Sequence, residues 1–439
     1  MLAMQGRIAR GIWALVLASL VACTPTAPPP AATSAATAAV AQPSVLPTAR
    51  PSATPTATLQ PTATSTPFPS ATPSPSATPL PLGPGGLPYP LTTKSLEFGV
   101  AAHLFYVGKA LPLRRANEAG FGWIRQQIHW KDLEGPRGRY AWGELDAVVN
   151  AVHRAGFKLL LSVVRAPAFY TANGGNGMPK DAKPLGNFLA ALTKHYAGKV
   201  QAIEVWNEQN LAVENGGRVS LADAGHYVEL LREAYTRIKA IDPNVYVVAG
   251  PPSSTGITKA SVAIDDMSYY EAMYSYKGGV IRDYFDAQAV HPGGSANPPD
   301  TMWPDNPSPA RGWTTHPTFY FRHVEDVHAL MVRHNAGDHQ IWITEFGWAT
   351  RNSSPGFEFG NQVSFAQQAE YIVGAMRRTK ERYPWAGAMF LWNLNFALFK
   401  PRSHEQSSFS ILNADGSPRP SFRAIQEYLT SVQVHTPPG

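Results

Sequence analysis

The sequence predicts a parallel (β/α)8 barrel in residues 91–439, and three observations support this fold. Short apolar runs and longer amphipathic stretches alternate eight times along this part of the chain, as strands alternate with the helices that cover them. The run at 157–164 is typical of a strand that is buried on both faces. The roughly 340 residues that follow the first 90 match the size of one such barrel.

Each strand and helix is predicted from its own local pattern. We expect strands at 96–102, 123–129, 157–164, 200–206, 245–249, 285–290, 341–345 and 386–392. We expect helices at 113–119, 142–155, 185–196, 221–241, 267–276, 319–334, 364–382 and 422–432. The helix at 221–241 has the clearest signal, because its apolar residues recur at helical spacing and Asp242-Pro243 ends it.

The first 90 residues differ in composition from the predicted barrel. Residues 1–22 resemble a bacterial lipoprotein signal peptide, with an apolar run too short to span a membrane comfortably. Cys23, the only cysteine of the chain, follows Leu-Val-Ala, and we expect it to be lipidated. A signal-peptidase cut after the small residues is the alternative. Residues 23–90 are rich in Pro, Thr, Ala and Ser and predict a disordered linker.

The distribution of charge gives no case for nucleic acid binding. Residues 1–90 hold three of the 37 Lys and Arg residues and none of the 31 acidic residues, so 34 basic and 31 acidic residues remain in the predicted barrel. Such a balance lacks the basic excess of a nucleic-acid-binding domain. The predicted signal peptide indicates an extracytoplasmic protein that is anchored to the bacterial cell membrane or secreted.

Two predicted strands end in a glutamate. Glu208 follows the fourth strand in AIEVWNEQN, and Glu345 closes the seventh strand in IWITEFGWAT. In a parallel α/β barrel the carboxyl ends of the strands carry the chemistry, and strands four and seven lie nearly opposite each other. Glycosidic bond hydrolysis needs an acid for the leaving oxygen and a carboxylate for the oxocarbenium-like centre. For a lone glutamate, a structural salt bridge is the alternative.

On these motifs the chain resembles the clan A glycoside hydrolases, and it is most similar to family 39-like and family 5-like (cellulase-like) enzymes. The resemblance extends from the first to the eighth predicted strand. It implies a retaining (β/α)8 hydrolase in which Glu208 is the acid/base and Glu345 is the nucleophile. The sequence departs from that pattern at Gln209, where many members have proline.

The resemblance also implies roles for four further residues, all at predicted strand ends. Asn207 is expected to donate to the sugar 2-hydroxyl, and Arg125 to support the nucleophile. His291 is expected near the nucleophile, and Trp392 is expected to form the floor of the −1 sugar site. The resemblance implies no cofactor and no metal.

Other side chains are candidates for contact with a sugar. Trp303 and Trp313 lie on the long loop after the sixth strand, where stacking on sugar is favoured over packing. His103 and His129 follow the first two strands, and substrate contact is favoured over a structural role.

Two sets of residues are left with a choice of interpretation. Trp206 and Trp348 are equally consistent with sugar platforms and with the core. The histidines around the sixth helix follow no metal-ligand spacing, which favours a solvated helix face over a metal site; they are His316, His323, His328, His334 and His339.

The sequence thus predicts a lipid-anchored glycosidase that hydrolyses a β-linked oligo- or polysaccharide, with a monomeric catalytic domain. Two alternatives stay open: a surface carbohydrate-binding protein that has lost catalysis on the same scaffold, and a transglycosidase with the same residues. Turnover of an activated aryl glycoside panel distinguishes the first alternative, and product analysis distinguishes the second.

Overall fold

The structure is a computed structural model that describes residues 89–172, 174–305, 316–352 and 354–434. Eight parallel strands close into a barrel in sequence order, which confirms the predicted (β/α)8 fold. The strands are β1 Glu97–Ala101, β2 Trp123–His129, β3 Lys158–Val164, β4 Ala202–Val205, β5 Tyr246–Ala249, β6 Ala287–Val290, β7 Gln340–Phe346 and β8 Ala386–Leu391. The predicted signal peptide and almost all of the predicted linker lie outside the described residues.

Eight helices of nine or more residues accompany the strands in the described part of the chain. They are α1 Ala110–Glu118, α2 Gly143–Arg154, α3 Ala182–His195, α4 Ala222–Ile241, α5 Asp266–Ser275, α6 His323–Arg333, α7 Phe365–Arg382 and α8 Pro420–Val434. The sixth helix is shorter than predicted, because Pro317–Phe319 forms a separate 3-10 turn and Tyr320 is extended. None of these described helices is both long and apolar enough to cross a membrane.

Two tryptophans fill the interior of the barrel. Trp123 of β2 and Trp342 of β7 meet edge to face with ring centroids 5.4 Å apart. Alanines on other strands make room for these rings, and the whole apolar layer is buried; the alanines are Ala202, Ala287, Ala289 and Ala388. Because side chains alternate between the two faces of a strand, Arg125 and Glu204 face the interior one layer nearer the carboxyl ends. A charged layer therefore lies directly on an apolar one.

Helix α4 fixes the neighbouring ends of β4 and β5. Its buried Tyr227 donates its hydroxyl hydrogen to Val205 O at 2.8 Å and accepts from Gly250 N at 2.6 Å. The hydroxyl thus joins the last residue of β4 to the residue after β5. The apolar face of α4 packs into the large core cluster between the strands and the helices, so this link is held rigidly.

The chain leaves β4 in an uncommon backbone conformation. Trp206 and Glu208 have positive φ angles of 69° and 50°, which side-chain-bearing residues rarely adopt and which cost about 1–3 kcal/mol each. Glu208 N donates to Pro251 O at 2.8 Å, which holds the turn against the end of β5. A Cβ atom at Gly250 would lie 2.5 Å from Val205 O and 2.6 Å from Trp206 O. Only glycine therefore fits this position.

Substitution Gly250→Ala tests this close approach. The added methyl group must push the β4 turn away, so we expect the free energy of unfolding to fall by about 1–3 kcal/mol and activity to fall with it. Gly143→Ala is the matched control, because its Cβ meets no atom within 4 Å; it should leave stability unchanged or raise it by up to about 1 kcal/mol. Equal urea denaturation midpoints for the two variants would contradict the packing argument.

Candidate active site

A buried arginine organises the carboxyl ends of the strands. Arg125 is 1% exposed, and its Nε and Nη2 donate to the two oxygens of Glu204 at 3.0 and 2.8 Å. Nη1 donates to Glu345 Oε1 at 2.6 Å, and Nη2 also donates to Asn207 Oδ1 at 2.8 Å. Burial acts to lower the pKa of Arg125, but the charges of Glu204 and Glu345 outweigh it and raise that pKa. The guanidinium stays charged and fixes three side chains.

Glu208 and Glu345 face the same cavity, as predicted from the strand ends. Glu208 reaches it from the turn after β4, and Glu345 reaches it from the end of β7. Both side chains are largely buried, with 28% and 18% exposed. The structure thus brings together the two carboxyl groups that the resemblance identifies as acid/base and nucleophile.

His291 lies between the two carboxyl groups. Its Nδ1 is 3.3 Å from Glu208 Oε1, and its Nε2 is 3.9 Å from Glu345 Oε1. Nε2 also lies 3.0 Å from Thr344 Oγ1, and Ser254 Oγ donates to the backbone oxygen of His291 at 2.6 Å. These contacts hold the ring so that one imidazole touches Glu208 and stands near Glu345.

Burial and neighbouring charges separate the pKa values of the two carboxyl groups. Burial raises the pKa of Glu345, with Glu208 and Glu204 acting in the same direction against His291 and Arg125. Burial also acts to raise the pKa of Glu208, but the hydrogen bond and charge of His291, the hydrogen bond of Ser253 and the charge of Arg125 together outweigh burial and lower that pKa. Because the charge of Glu208 acts on Glu345, the two groups titrate as an interacting pair. The two directions favour a proton on Glu345, whereas general acid catalysis requires the proton on Glu208.

Aromatic side chains form much of the cavity wall. Trp392, directly after β8, lines the cavity together with the two carboxyl groups, at the position expected for the floor of a sugar site. Four phenylalanines also line the cavity: Phe319, Phe357, Phe359 and Phe409. Such apolar faces with a few convergent polar groups are typical of binding sites for sugars and other small ligands.

Asn207 is held by Arg125 and is not among the described residues that line the cavity, so its contact with a sugar stays a prediction. Its Oδ1 accepts from Arg125, so its NH2 group is directed away from the guanidinium and is the part of the amide that can donate. Gln209, at the position where the related pattern has proline, is fully buried and donates to Gly250 O at 2.8 Å. The departure at Gln209 therefore supports the turn and does not reach the cavity.

Several of the predicted substrate contacts are not among the described residues that line this cavity, and His129 is one of them, with its Nδ1 3.3 Å from Asp132 Oδ2. His103 packs against Phe396 and Phe399 with ring centroids 5.9 and 4.8 Å away, and it is outside the cavity lining. Burial lowers the pKa of His103 to about 4, so it is neutral near pH 7. Trp303 is 46% exposed on its loop, and Trp313 lies outside the described residues. Contact of these residues with distal sugars stays a prediction.

The structure decides the two open interpretations. Trp206 and Trp348 are at most 1% exposed, and the indole nitrogen of Trp348 donates to Asn297 O at 2.9 Å; both belong to the core. The solvated face predicted for the histidines is wrong for His323, which is buried 2.7 Å from Asp266, and for His339, which is also buried. No group of three potential metal ligands occurs among the described residues.

Sequence reasoning missed Glu204. This carboxylate is fully buried and lies inside β4, four residues before Glu208. A glutamate within an otherwise apolar strand is an available signal, because a buried carboxylate needs a cationic partner. The partner is Arg125, which was singled out for Glu345 alone.

Comparison with known proteins supports the fold. No family model and no curated protein matches the sequence. Similar solved structures include a family 39 glycoside hydrolase from Bacteroides cellulosilyticus WH2, with 21% identity and a TM-score of 0.57. That similarity covers 77% of this chain and 64% of the other, so this chain spans less than two thirds of that enzyme.

Two further structures share the barrel at lower identity. A GH5_18 protein from Streptomyces cattleya, in complex with GlcNAc, is 14% identical with a TM-score of 0.55, covering 79% of this chain and 82% of the other. An endo-β-1,4-glucanase from Xanthomonas axonopodis pv. citri is 14% identical with a TM-score of 0.52, covering 76% and 99%. At these identities the similarity shows the shared fold.

Substitution His291→Gln tests the electrostatic link between the carboxyl groups. The contact with His291 lowers the pKa of Glu208, and its charge acts to lower the pKa of Glu345. Its removal should therefore raise both pKa values and move both limbs of the bell-shaped pH profile of kcat/KM to higher pH. The measurement uses a glycoside with a poor leaving group, for which the acid is needed.

His334→Gln is the control, because His334 pairs with Glu271 at 2.8 Å on the outer helices. Its profile should coincide with that of the unmodified protein. Limbs that stay in place or move to lower pH in His291→Gln would show that His291 does not set the protonation of the pair.

Proposed function

We propose that the protein is a retaining glycoside hydrolase that cleaves β-linked O-glycosidic bonds of an oligo- or polysaccharide. One observation carries the proposal: Glu208, in the turn after β4, and Glu345, at the end of β7, line one cavity and share His291 as a neighbour. Two carboxyl groups on one cavity supply an acid and a nucleophile. The similarity to a family 39 glycoside hydrolase supports the same class.

In the first step Glu345 attacks the anomeric carbon while Glu208 donates its proton to the leaving oxygen. The glycosidic bond breaks, a glycosyl ester forms on Glu345, and the alcohol leaves. Arg125, 2.6 Å from Glu345, favours the ionised form of this carboxylate and fixes its orientation. Asn207, whose Oδ1 accepts from the same guanidinium, donates its NH2 group to a ring hydroxyl.

In the second step Glu208 acts as a base. It takes a proton from water while the water oxygen attacks the anomeric carbon, and the ester bond to Glu345 breaks. The sugar is released with its original anomeric configuration, and Glu208 is protonated again. A binding protein without catalysis has no need for both carboxyl groups at this place, so the geometry favours the hydrolase. Product analysis with added alcohols separates hydrolysis from transglycosylation.

Azide separates the roles of the two carboxyl groups. Glu208→Ala should form the glycosyl ester from an activated aryl β-glycoside but stall on its hydrolysis, because an acidic phenol needs no proton while water needs a base. Added azide needs no base, so it should restore turnover and give the β-glycosyl azide. Glu345→Ala lacks the nucleophile, and azide should enter from the vacated face and give the α-glycosyl azide.

The measurement is the rate of phenol release and the anomer of the azide by NMR. Glu427→Ala, which removes an exposed carboxylate on α8, is the control and should keep the activity of the unmodified protein. Reversed azide anomers, or near-normal rates for Glu345→Ala, would show that the assigned roles are wrong.

We further propose that the protein is a lipoprotein that acts outside the cytoplasm on carbohydrate. The support is in the sequence: a short apolar segment after Arg7 and Arg10 leads to Leu-Val-Ala-Cys, and a Pro- and Thr-rich stretch follows. At up to about 3.1 Å per residue, a polyproline II linker of this kind gives an anchored catalytic domain a long reach.

Substitution Cys23→Ala tests the anchor. It removes the only thiol that can be acylated, so labelled fatty acid should no longer be incorporated and the protein should leave the membrane fraction. Thr24→Ala is the matched control and should keep the label and the membrane location. Retention of Cys23→Ala in membranes at the normal level would contradict the lipoprotein proposal.

A further inference from the structure

A third carboxylate lines the same cavity and has no part in the two-step reaction. Glu405 begins a short helix, Glu405–Phe409, in the segment between β8 and α8. Its side chain is buried, with the residue only 4% exposed, and it lines the cavity together with Glu208, Glu345 and Trp392. A carboxylate at this depth needs a partner.

One oxygen of Glu405 lacks such a partner. Oε2 lies 2.9 Å from His404 Nδ1, whereas the buried Oε1 has no hydrogen-bond partner among the described residues. A buried acceptor without a donor is unfavourable, and buried polar atoms are normally paired with protein, ligand or ordered water. Because Glu405 lines the cavity, a molecule bound there can supply a hydrogen-bond donor to this carboxylate.

The backbone around Glu405 is held firmly beside the sugar-site floor. Asn393, the residue after Trp392, donates its side-chain amide to Gln406 O at 2.9 Å. Arg419 Nη2 donates to Ser407 O at 3.0 Å. Glu405 is therefore fixed in position before any ligand arrives, which reduces the entropic cost of binding.

The charge of the cavity restricts the ligand class. Among the described residues that line it are three glutamates and one histidine, and no lysine or arginine; Arg125 stands behind Glu345 and is occupied by it. A uronic acid or a sulfated sugar would place a further negative charge among these carboxyl groups, which is unfavourable. Sugar hydroxyl groups, in contrast, are donors that a carboxylate accepts.

We propose that Glu405 is a specificity-determining residue that accepts hydrogen bonds from hydroxyl groups of the bound sugar and makes the cavity selective for neutral glycosides. The inference rests on the proposed glycosidase function and adds the substrate class to it. In this proposal Glu405 binds the sugar in both the ground state and the transition state, whereas Glu208 and Glu345 carry out bond cleavage.

The experiment compares Glu405→Gln and Glu405→Ala with the unmodified protein on a panel of 2,4-dinitrophenyl β-glycosides of neutral sugars. A lost hydrogen bond to a charged acceptor should lower kcat/KM roughly 10- to 100-fold in Glu405→Ala, chiefly through KM. Glu405→Gln keeps an acceptor oxygen and the side-chain shape, so its loss should be smaller. Glu427→Gln, at an exposed position on α8, is the control and should match the unmodified protein.

Monodeoxy versions of the best substrate give a readout that a structural role would not move. In the unmodified protein, removal of the hydroxyl that Glu405 accepts should lower kcat/KM by a similar factor. In Glu405→Ala the same deoxygenation should have little further effect, because the two losses share one interaction. Glu405→Gln should also reduce the preference for the neutral sugar over its aryl β-glucuronide counterpart.

The outcomes separate this inference from the proposed function. Suppose that the unmodified protein turns over a neutral aryl glycoside and that both Glu405 variants have the same KM as the unmodified protein. In that case, or if the losses from mutation and deoxygenation simply multiply for every hydroxyl, Glu405 is not a sugar ligand. Only this inference is then overturned. If the folded, unmodified protein turns over no glycoside of the panel, the proposed function is overturned and the role of Glu405 with it.

Discussion

The buried guanidinium of Arg125 is the interaction on which the rest of the site depends. It lies on the apolar layer of Trp123 and Trp342, and it is bonded to Glu204, Glu345 and Asn207 from two other strands. A buried charge without partners costs several kcal/mol, so each of these groups requires the others. The same bonds that make the charge tolerable also define where the carboxyl groups stand relative to the barrel.

The two carboxylates on Arg125 are held in different ways. Glu204 is fully buried and takes two donors of the guanidinium, which identifies it as the structural counter-ion. Glu345 takes one donor and keeps part of its surface open to the cavity, so it is oriented without being sequestered. The positive φ angles at Trp206 and Glu208 direct the carboxyl group of Glu208 toward the same cavity. Stability and reactivity are thus divided between neighbouring glutamates.

Much of this arrangement can be predicted from the sequence, because apolar residues recur at different spacings in strands and in helices, and because polar residues follow the ends of the strands. Glu208 and Glu345 were predicted for this reason. Glu204 was missed because β4 is buried on both faces. In such a strand the alternation of apolar and polar residues does not show which side chains face the interior of the barrel. Glu405 lies in an irregular segment after Trp392, where only the folded chain shows what faces the cavity. The burial of Trp206 and of His323 likewise depends on long-range packing.

The most direct test of the central assignment is the site of covalent attachment. A 2-deoxy-2-fluoro aryl β-glycoside of the accepted sugar slows hydrolysis of the glycosyl ester enough for it to accumulate. Peptide mass spectrometry after proteolysis should then find one added glycosyl group on the peptide that contains Glu345, and none in Glu345→Gln. A label on another residue, or no label while the parent glycoside is hydrolysed with retention, would contradict the assignment of Glu345 as nucleophile.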